Sequence, residues 1–311
     1  MKVSILIPLY NSEKYIAETI ECALNQTWQD KEIIIIDDGS TDNSFRIAKS
    51  YESDILKVYK QENKGASAAR NHAFSKSSGE LIQYLDADDL LSPNKIEEQV
   101  KIYIKNSNTE SIVSSNLMYF NGNTITGLEF PRCQLITTDY SPGEELLIDI
   151  FDYLIGTQTS MWLVPRQIIE KTGSWNEQLS LNDDGEFFFR VISKCKVVYY
   201  CATAVVYYRI PVNGISKRRD RKSSESQLAS TRIMKNIVLA YSDSKRARQS
   251  CAKYYSRLYK QFDDDSYFDR MAEKEIKELG FNIETLSKAR RHKLYFLFFG
   301  KKLYNRFLAK D

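Results

Sequence analysis

The sequence predicts an α/β fold: a doubly wound, mainly parallel sheet flanked by helices, followed by a helical extension. Three observations carry this expectation. Strand-like runs alternate with helix-like segments over residues 1–110, the pattern of a parallel sheet with helical crossovers. The run Ile33–Ile36 is unbroken and β-branched, as in a strand covered on both faces. Acidic stretches close the second and fourth runs, and open α/β sheets bind ligands at the carboxyl ends of their strands.

Val3–Ile7 reads as the first strand, with Pro8 as its stop. Asn11 or Ser12 then caps a helix whose apolar Ile16, Ile20, Ala23 and Leu24 recur at helical spacing. Ile33–Ile36 is the second strand, and Thr41 or Asp42 caps a helix through Phe45, Ile47 and Ala48. Leu56–Tyr59 is a third strand, Ala66–Phe74 a helix and Leu81–Leu85 a fourth strand. Ser92-Pro93 opens the next helix, with proline in the first turn. Beyond residue 110 the alternation loosens. Ser111–Phe120 and Ser160–Val164 read as strands, Glu144–Tyr153 and Asp183–Lys194 as helices, and Val197–Tyr200 with Val205–Tyr208 close a mixed sheet. Gly214–Ser226 is polar and basic, a loop or boundary, and the remainder reads as helix. The expected division is a catalytic domain over 1–215 and a basic helical region over 216–311. Within the first, the nucleotide-binding half covers about 1–110 and the acceptor half about 111–215.

Hydrophobic residues make up 42% of the 311-residue chain and charged residues 27%, which supports a packed core rather than disorder. Five cysteines without a C-x-x-C pair, and only two histidines, argue against zinc and for a reduced, cytoplasmic setting. No apolar stretch approaches the roughly 18 residues of a membrane span, and Met1-Lys2 leads straight into a strand rather than a secretory signal. The net charge of +3 conceals a split. Residues 217–311 carry 24 Lys+Arg against 12 Asp+Glu, whereas residues 1–216 carry 20 against 29. An acidic catalytic part joined to a basic tail suggests an anionic partner surface.

Three acidic stretches look like one nucleotide-diphosphate and metal site. In Asp86-Ala87-Asp88-Asp89, Asp86 and Asp88 fall on the same side of an extended segment. One carboxylate can then face a ribose while the other reaches Mn²⁺ or Mg²⁺, ions that favour oxygen ligands. Such a metal neutralises charge building on a leaving diphosphate. Asp38, at the end of the second strand, can accept the N3–H of uracil or a ribose hydroxyl, with Gly39 allowing the sharp turn. Pro8, Tyr10 and Asn11 can wall a pyrimidine, and Lys64 and Arg70 are placed to serve the nucleotide. Asp183 and Asp184 open a helix, whose dipole favours the ionised state a general base needs.

Five ordered motifs carry a resemblance: VSILIPLYN (3–11), IIIDDGSTD (34–42), NKGASAARN (63–71), YLDADD (84–89) and NDDGEFFFR (182–190). Together they resemble the inverting family 2 glycosyltransferases of the GT-A fold, over residues 2 to about 210. The resemblance implies a nucleotide-sugar donor, a divalent metal and single displacement at the anomeric carbon. It implies Asp38 as the uracil contact, Asp86 as the ribose or nucleotide contact and Asp88 as the metal ligand, with Tyr10 and Arg70 in the nucleotide site. Asp184 would be the base; many members have Glu-Asp where this chain has Asp183-Asp184, which leaves Asp183 as the alternative. Asp89 is a second candidate metal ligand. The Q-x-x-R-W motif of processive polysaccharide synthases is absent, which favours addition of one sugar.

From Lys288 to Lys310 the chain combines Lys and Arg with a Phe296, Phe299, Leu303, Phe307 stripe. A basic aromatic helix of this kind lies in lipid interfaces, and packing on protein is the alternative. The expectation is a protein peripheral to the inner face of the cell membrane, acting on a glycan or lipid-linked acceptor in surface-polysaccharide synthesis. No nucleic-acid motif accompanies the charge. Two rivals are a nucleotidyltransferase, which would show a glycine-rich phosphate loop after the first strand, and a non-catalytic sugar-nucleotide-binding scaffold.

Overall fold

The computed structural model describes residues 1–106, 110–120, 136–153, 155, 157–210, 220–259 and 266–286. Four strands are parallel: β1 (Val3–Leu9), β2 (Lys31–Asp37), β3 (Leu56–Lys60) and β4 (Leu81–Tyr84). The others are β5 (Leu90–Leu91), β6 (Ser111–Phe120), β7 (Leu163–Pro165) and β8 (Val197–Arg209). They form one mixed sheet in the order β3-β2-β1-β4-β7-β6-β8-β5. β7 is antiparallel to β4 and β6, β8 is parallel to β6, and β5 is antiparallel to β8.

The flanking helices are α1 (Ile16–Leu24), α2 (Ser44–Lys49), α3 (Ala66–Lys76), α4 (Lys95–Asn106) and α5 (Glu145–Tyr153). They continue as α6 (Arg166–Thr172), α7 (Asp183–Ile192), α8 (Arg221–Tyr241), α9 (Lys245–Leu258) and α10 (Ser266–Glu278). The four isoleucines of β2 are fully or almost fully buried, each stabilising the core by about 1.5–3 kcal/mol.

The structure corrects several local expectations. Pro8 does not stop β1, which continues to Leu9 and pairs with Asp37. Residues of even number in β1 face β4, since Leu6 accepts from the Leu85 N–H. β4 has ended by the level of Pro8, so the missing proline N–H leaves no ladder partner unsatisfied. Neither Asn11 nor Ser12 caps α1 with its side chain; Asn11 instead crosses to the Thr41 N–H at 2.8 Å. Residues Arg221–Ser226 belong to α8 rather than to a loop, with Asp220 as a side-chain cap on the Ser223 N–H. Helix α6 was not expected; its seven residues are too few for a clear helical period.

A buried polar seam fixes the middle of the sheet. Lys95 Nζ donates to Gln83 Oε1 at 2.6 Å and Gln99 Oε1 at 2.7 Å. The Gln99 amide in turn donates to the Val113 and Met161 carbonyls, and that of Gln83 to the Ser160 carbonyl. Burial pulls the Lys95 ammonium down to about 7. These bonds anchor the 3₁₀ turn Thr159–Met161, directly after Gln158, a residue that reaches the site below.

Helix α8 packs on α7 and α9 on α5, with α10 against both α8 and α9. Phe151 of α5 stacks on Tyr254 of α9 at 4.3 Å and lies 4.9 Å from Phe189 of α7. Arg246 of α9 pairs with Glu145 and Asp149 of α5, and Lys253 pairs with Asp152. Part of the basic tail is therefore used within the molecule. The stripe from Lys288 to Lys310 and the basic Lys217–Arg219 lie outside the described residues. No described helix is long and apolar enough to cross a membrane.

Candidate active site

Parallel register brings the ends of β1, β2 and β3 level, with Leu9 beside Asp37 and Asp37 beside Lys60. Tyr10 follows β1 and is 48% exposed there. Asp38 follows β2 and is buried, accepting at 2.8 Å from Gln61 Nε2, the Lys64 N–H and the Gly65 N–H. It thereby sets the loop that leads into α3. The Lys64 side chain is exposed on that loop. Asp37 Oδ1 is buried without a hydrogen-bond partner.

The second and third acidic stretches meet on one guanidinium. Arg70, on α3, is 6% exposed and donates from Nη2 to Asp86 Oδ1 at 2.8 Å and from Nη1 to Asp183 Oδ2 at 2.9 Å. Its plane lies over the Trp175 ring, 4.4 Å from the centroid, and Trp175 stacks on Phe187 at 4.0 Å. Cation–π contact and two charge-assisted bonds leave Arg70 little freedom. Each terminal nitrogen of Arg70 donates one N–H to a carboxylate, so the group ties the two acidic stretches together, and each keeps a second N–H for the expected place beside the nucleotide. Trp162 and Trp175 are buried in the core.

The adjacent acids differ. Asp183 accepts from Arg70 and from Ser67 Oγ at 2.9 Å. Asp184 is half-buried and accepts from the Gly185 N–H at 2.8 Å. Burial, then the Asp183 charge, push the Asp184 carboxyl up to about 6, against the Gly185 N–H and the Arg70 charge.

Around the second stretch, Asp86 Oδ2 accepts from Gln158 Nε2 at 3.3 Å. Burial and the nearby Asp86 push the Asp88 carboxyl up to about 6. Asp89 is fully buried, with Oδ1 on the Arg209 N–H at 3.0 Å and Oδ2 on Gln158 Nε2 at 2.6 Å. This corrects the expectation of Asp89 as a second metal ligand: both oxygens face inward and hold the turn. Among the described residues, no three His, Cys, Asp or Glu side chains form a group that could by itself hold a metal ion. The donor set still fits Mn²⁺ or Mg²⁺, since such ions typically take one or two carboxylates and complete their shell with phosphates and water. The repulsion between Asp86 and Asp88 is what a divalent cation would relieve.

Sequence reasoning missed Gln158, Arg209, Thr19 and Ser67. Arg209 lies between the rings of Tyr15 and Phe120, donates from Nε to the Asp88 carbonyl at 2.9 Å and pairs with Glu18 at 2.6 Å. Thr19 Oγ1 lies 3.1 Å from both the Ala87 and Asp89 carbonyls. Ser67 lies within the motif at 63–71, whereas no short motif marks Gln158, Arg209 or Thr19, which reach the site from distant parts of the chain.

Residues 4–171 match the family model described as Glycosyl transferase family 2. The chain belongs to that family. Among its relatives is "Uncharacterized glycosyltransferase RT0329" of Rickettsia typhi, 32% identical over 67% of this chain and 64% of the relative. Another Rickettsia relative, from R. felis, is matched over 31% of its length, so the chain spans well under two thirds of some relatives. The putative glycosyltransferase EpsH of Bacillus subtilis is 31% identical over 73% of this chain and 66% of its own. The cholesterol galactosyltransferase of Borreliella burgdorferi is 28% identical over 84% and 73%. In structure, the chain resembles S. aureus TarS 1-349 in complex with UDP-GlcNAc, with a TM-score of 0.70 at 18% identity, over 90% of this chain and 80% of that one. The GT-A fold expected from the motifs is thus the fold observed.

Proposed function

We propose that this chain transfers a single sugar from a UDP-sugar, or another nucleotide sugar, to a hydroxyl of a glycan or lipid-linked acceptor, with inversion. The observation that carries the reading is the Arg70 bridge, which joins the Asp86 loop to the Asp183-Asp184 helix. Support for the donor comes from TarS, solved with UDP and with UDP-GlcNAc. Support for a lipid acceptor comes from the relative named a cholesterol galactosyltransferase. Surface-polysaccharide synthesis at the inner face of the membrane remains part of the same proposal.

In this reading Tyr10 stacks on the base, with Pro8 and Asn11 beside it. Asp38 Oδ2, which takes one bond from protein, keeps a lone pair for the uracil N3–H. Lys64 faces the nucleotide from its loop, and Asp86 Oδ2 faces the ribose. Asp88, with Asp86 beside it, would hold Mn²⁺ or Mg²⁺ together with the donor phosphates; the ion supplies charge neutralisation at the leaving diphosphate. Asp184 removes the proton of the acceptor hydroxyl as its oxygen bonds to the anomeric carbon. The bond from that carbon to the phosphate oxygen breaks with its electron pair on the nucleotide, and attack opposite the leaving group inverts the centre. Asp183, held by Arg70 and Ser67, keeps negative charge beside Asp184 and so raises its basicity.

The test is thermal unfolding against a panel of nucleotide sugars, with and without Mn²⁺. A donor at a hundred times its Kd stabilises the folded state by about 2.7 kcal/mol. One donor class is expected to raise Tm, more strongly with Mn²⁺, and to be turned over to a product of opposite anomeric configuration. A flat panel contradicts the proposal.

A further inference from the structure

Helix α8 belongs to a region expected to be an appendage, yet its serines hold the loop that opens the helix bearing Asp183 and Asp184. Ser226, 6% exposed, accepts from the Ser180 and Leu181 N–H groups at 2.9 Å each and donates to the Leu181 carbonyl at 2.9 Å. A hydroxyl has one proton and two lone pairs, so Ser226 is saturated by two consecutive residues of one loop. One turn further along, the fully buried Ser230 accepts from Asn182 Nδ2 at 2.8 Å and donates to the Gln227 carbonyl. Met234 adds a sulfur 3.4 Å from the same amide.

Asn182 occupies the position before α7, where an asparagine side chain usually caps its own helix. Here it makes no cap bond; the residue adopts φ 58°, a left-handed conformation, and its amide turns to α8. The space it leaves is tight. A Cβ at Gly185 would fall 2.4 Å from Asn182 Oδ1, an atom on a side chain already tied to Ser230. Helix α8 is itself anchored, since Glu275 of α10 binds Arg232 and Lys235.

We infer that Ser226 and Ser230 are positioning residues for the transfer reaction, fixing the direction in which Asp183 and Asp184 leave the 180–182 loop. The C-terminal region is on this account part of the site. The inference rests on the transferase reading above, and its test includes a readout independent of turnover.

Two single variants, Ser226→Ala and Ser230→Ala, are compared with Ser256→Ala, a control on α9 whose hydroxyl bonds only within its own helix. Amide hydrogen exchange should quicken at least tenfold at residues 180–186 in the first two and stay unchanged there in the control. Protection of β1 and β2 should be retained in all three. Turnover, measured below each unfolding transition, should fall about tenfold or more while UDP affinity stays within threefold; a fold-stabilising role alone would leave kcat intact. Ser226→Thr, which keeps a hydroxyl at this position, should retain part of the loop protection that Ser226→Ala loses. Wild-type exchange at 180–186 in both folded variants overturns the inference, as does faster exchange there with kcat unchanged. If Ser226→Ala does not fold, Ser230→Ala, which removes only one side-chain bond to the loop, decides the matter alone. Absence of transfer by the wild type would instead count against the proposed function.

Discussion

At the scale of single residues, the site turns on how one arginine divides two adjacent acids. Arg70 holds Asp183, while burial and the Asp183 charge raise the proton affinity of Asp184 against the opposing Arg70 charge. A base with a carboxyl near 6 is ionised above that pH and protonated below it. It follows that kcat/KM should fall as pH drops through about 6, with a limiting slope of one where a bound cation keeps Asp88 ionised and a steeper one where it does not. The Asp184→Asn variant should lose that limb together with activity. Arg70→Lys keeps the charge but not the planar fork that reaches two carboxylates. It should lower kcat about a hundredfold, the scale of a misplaced catalytic group, with the fold intact by circular dichroism. A lysine variant within threefold of wild type would show that the bridge is dispensable. The acids themselves were legible in the sequence, because each follows a strand or opens a helix. Their division of labour was not, since it depends on Arg70 and Ser67 lying more than a hundred residues earlier.

At the scale of elements, the strands were read well where burial and chemistry agree, as in Ile33–Ile36. Pro8 was misread because its tolerance depends on where the neighbouring strand ends, which is information from another segment. The start of β4 makes a sharp prediction. A Cβ at Gly79 would lie 2.6 Å from the Ser4 N atom and 2.8 Å from the Lys2 carbonyl oxygen. Backbone cannot yield as a side-chain tip can, so Gly79→Ala should destabilise the protein by about 3 kcal/mol, read by chemical denaturation. The same corner holds Glu32. Burial opposes its charge, but bonds from Ser4 Oγ, the Ser78 N–H and the Lys2 ammonium outweigh burial and hold the carboxyl down at about 2. The unfolded value is about 4.3. Its stabilising contribution is therefore complete above that pH and lost as pH falls towards 2. Glu32→Gln should flatten the dependence of stability on pH across this window; an unchanged slope would contradict it.

At the scale of the whole molecule, charge counting exposed the acidic and basic halves but not where the basic groups go. Arg246 and Lys253 meet acids of α5, and Arg232 and Lys235 meet Glu275. Such pairings link residues about 40 to 100 positions apart and leave no local signature. The helices α8–α10 are therefore expected to contribute to folding and turnover. Removing residues 288–311 should abolish binding to anionic vesicles and leave donor hydrolysis in place; vesicle binding by the truncated chain would contradict the lipid role. Asp184 is proposed to accept the proton in a site whose two acidic stretches the Arg70 bridge joins. The most direct test is paired measurement of UDP affinity and sugar transfer in Asp184→Asn. The predicted result is a Kd within threefold of wild type with turnover reduced about 10³-fold, within the range for loss of a general base. Transfer by the asparagine variant at the wild-type rate would contradict the claim.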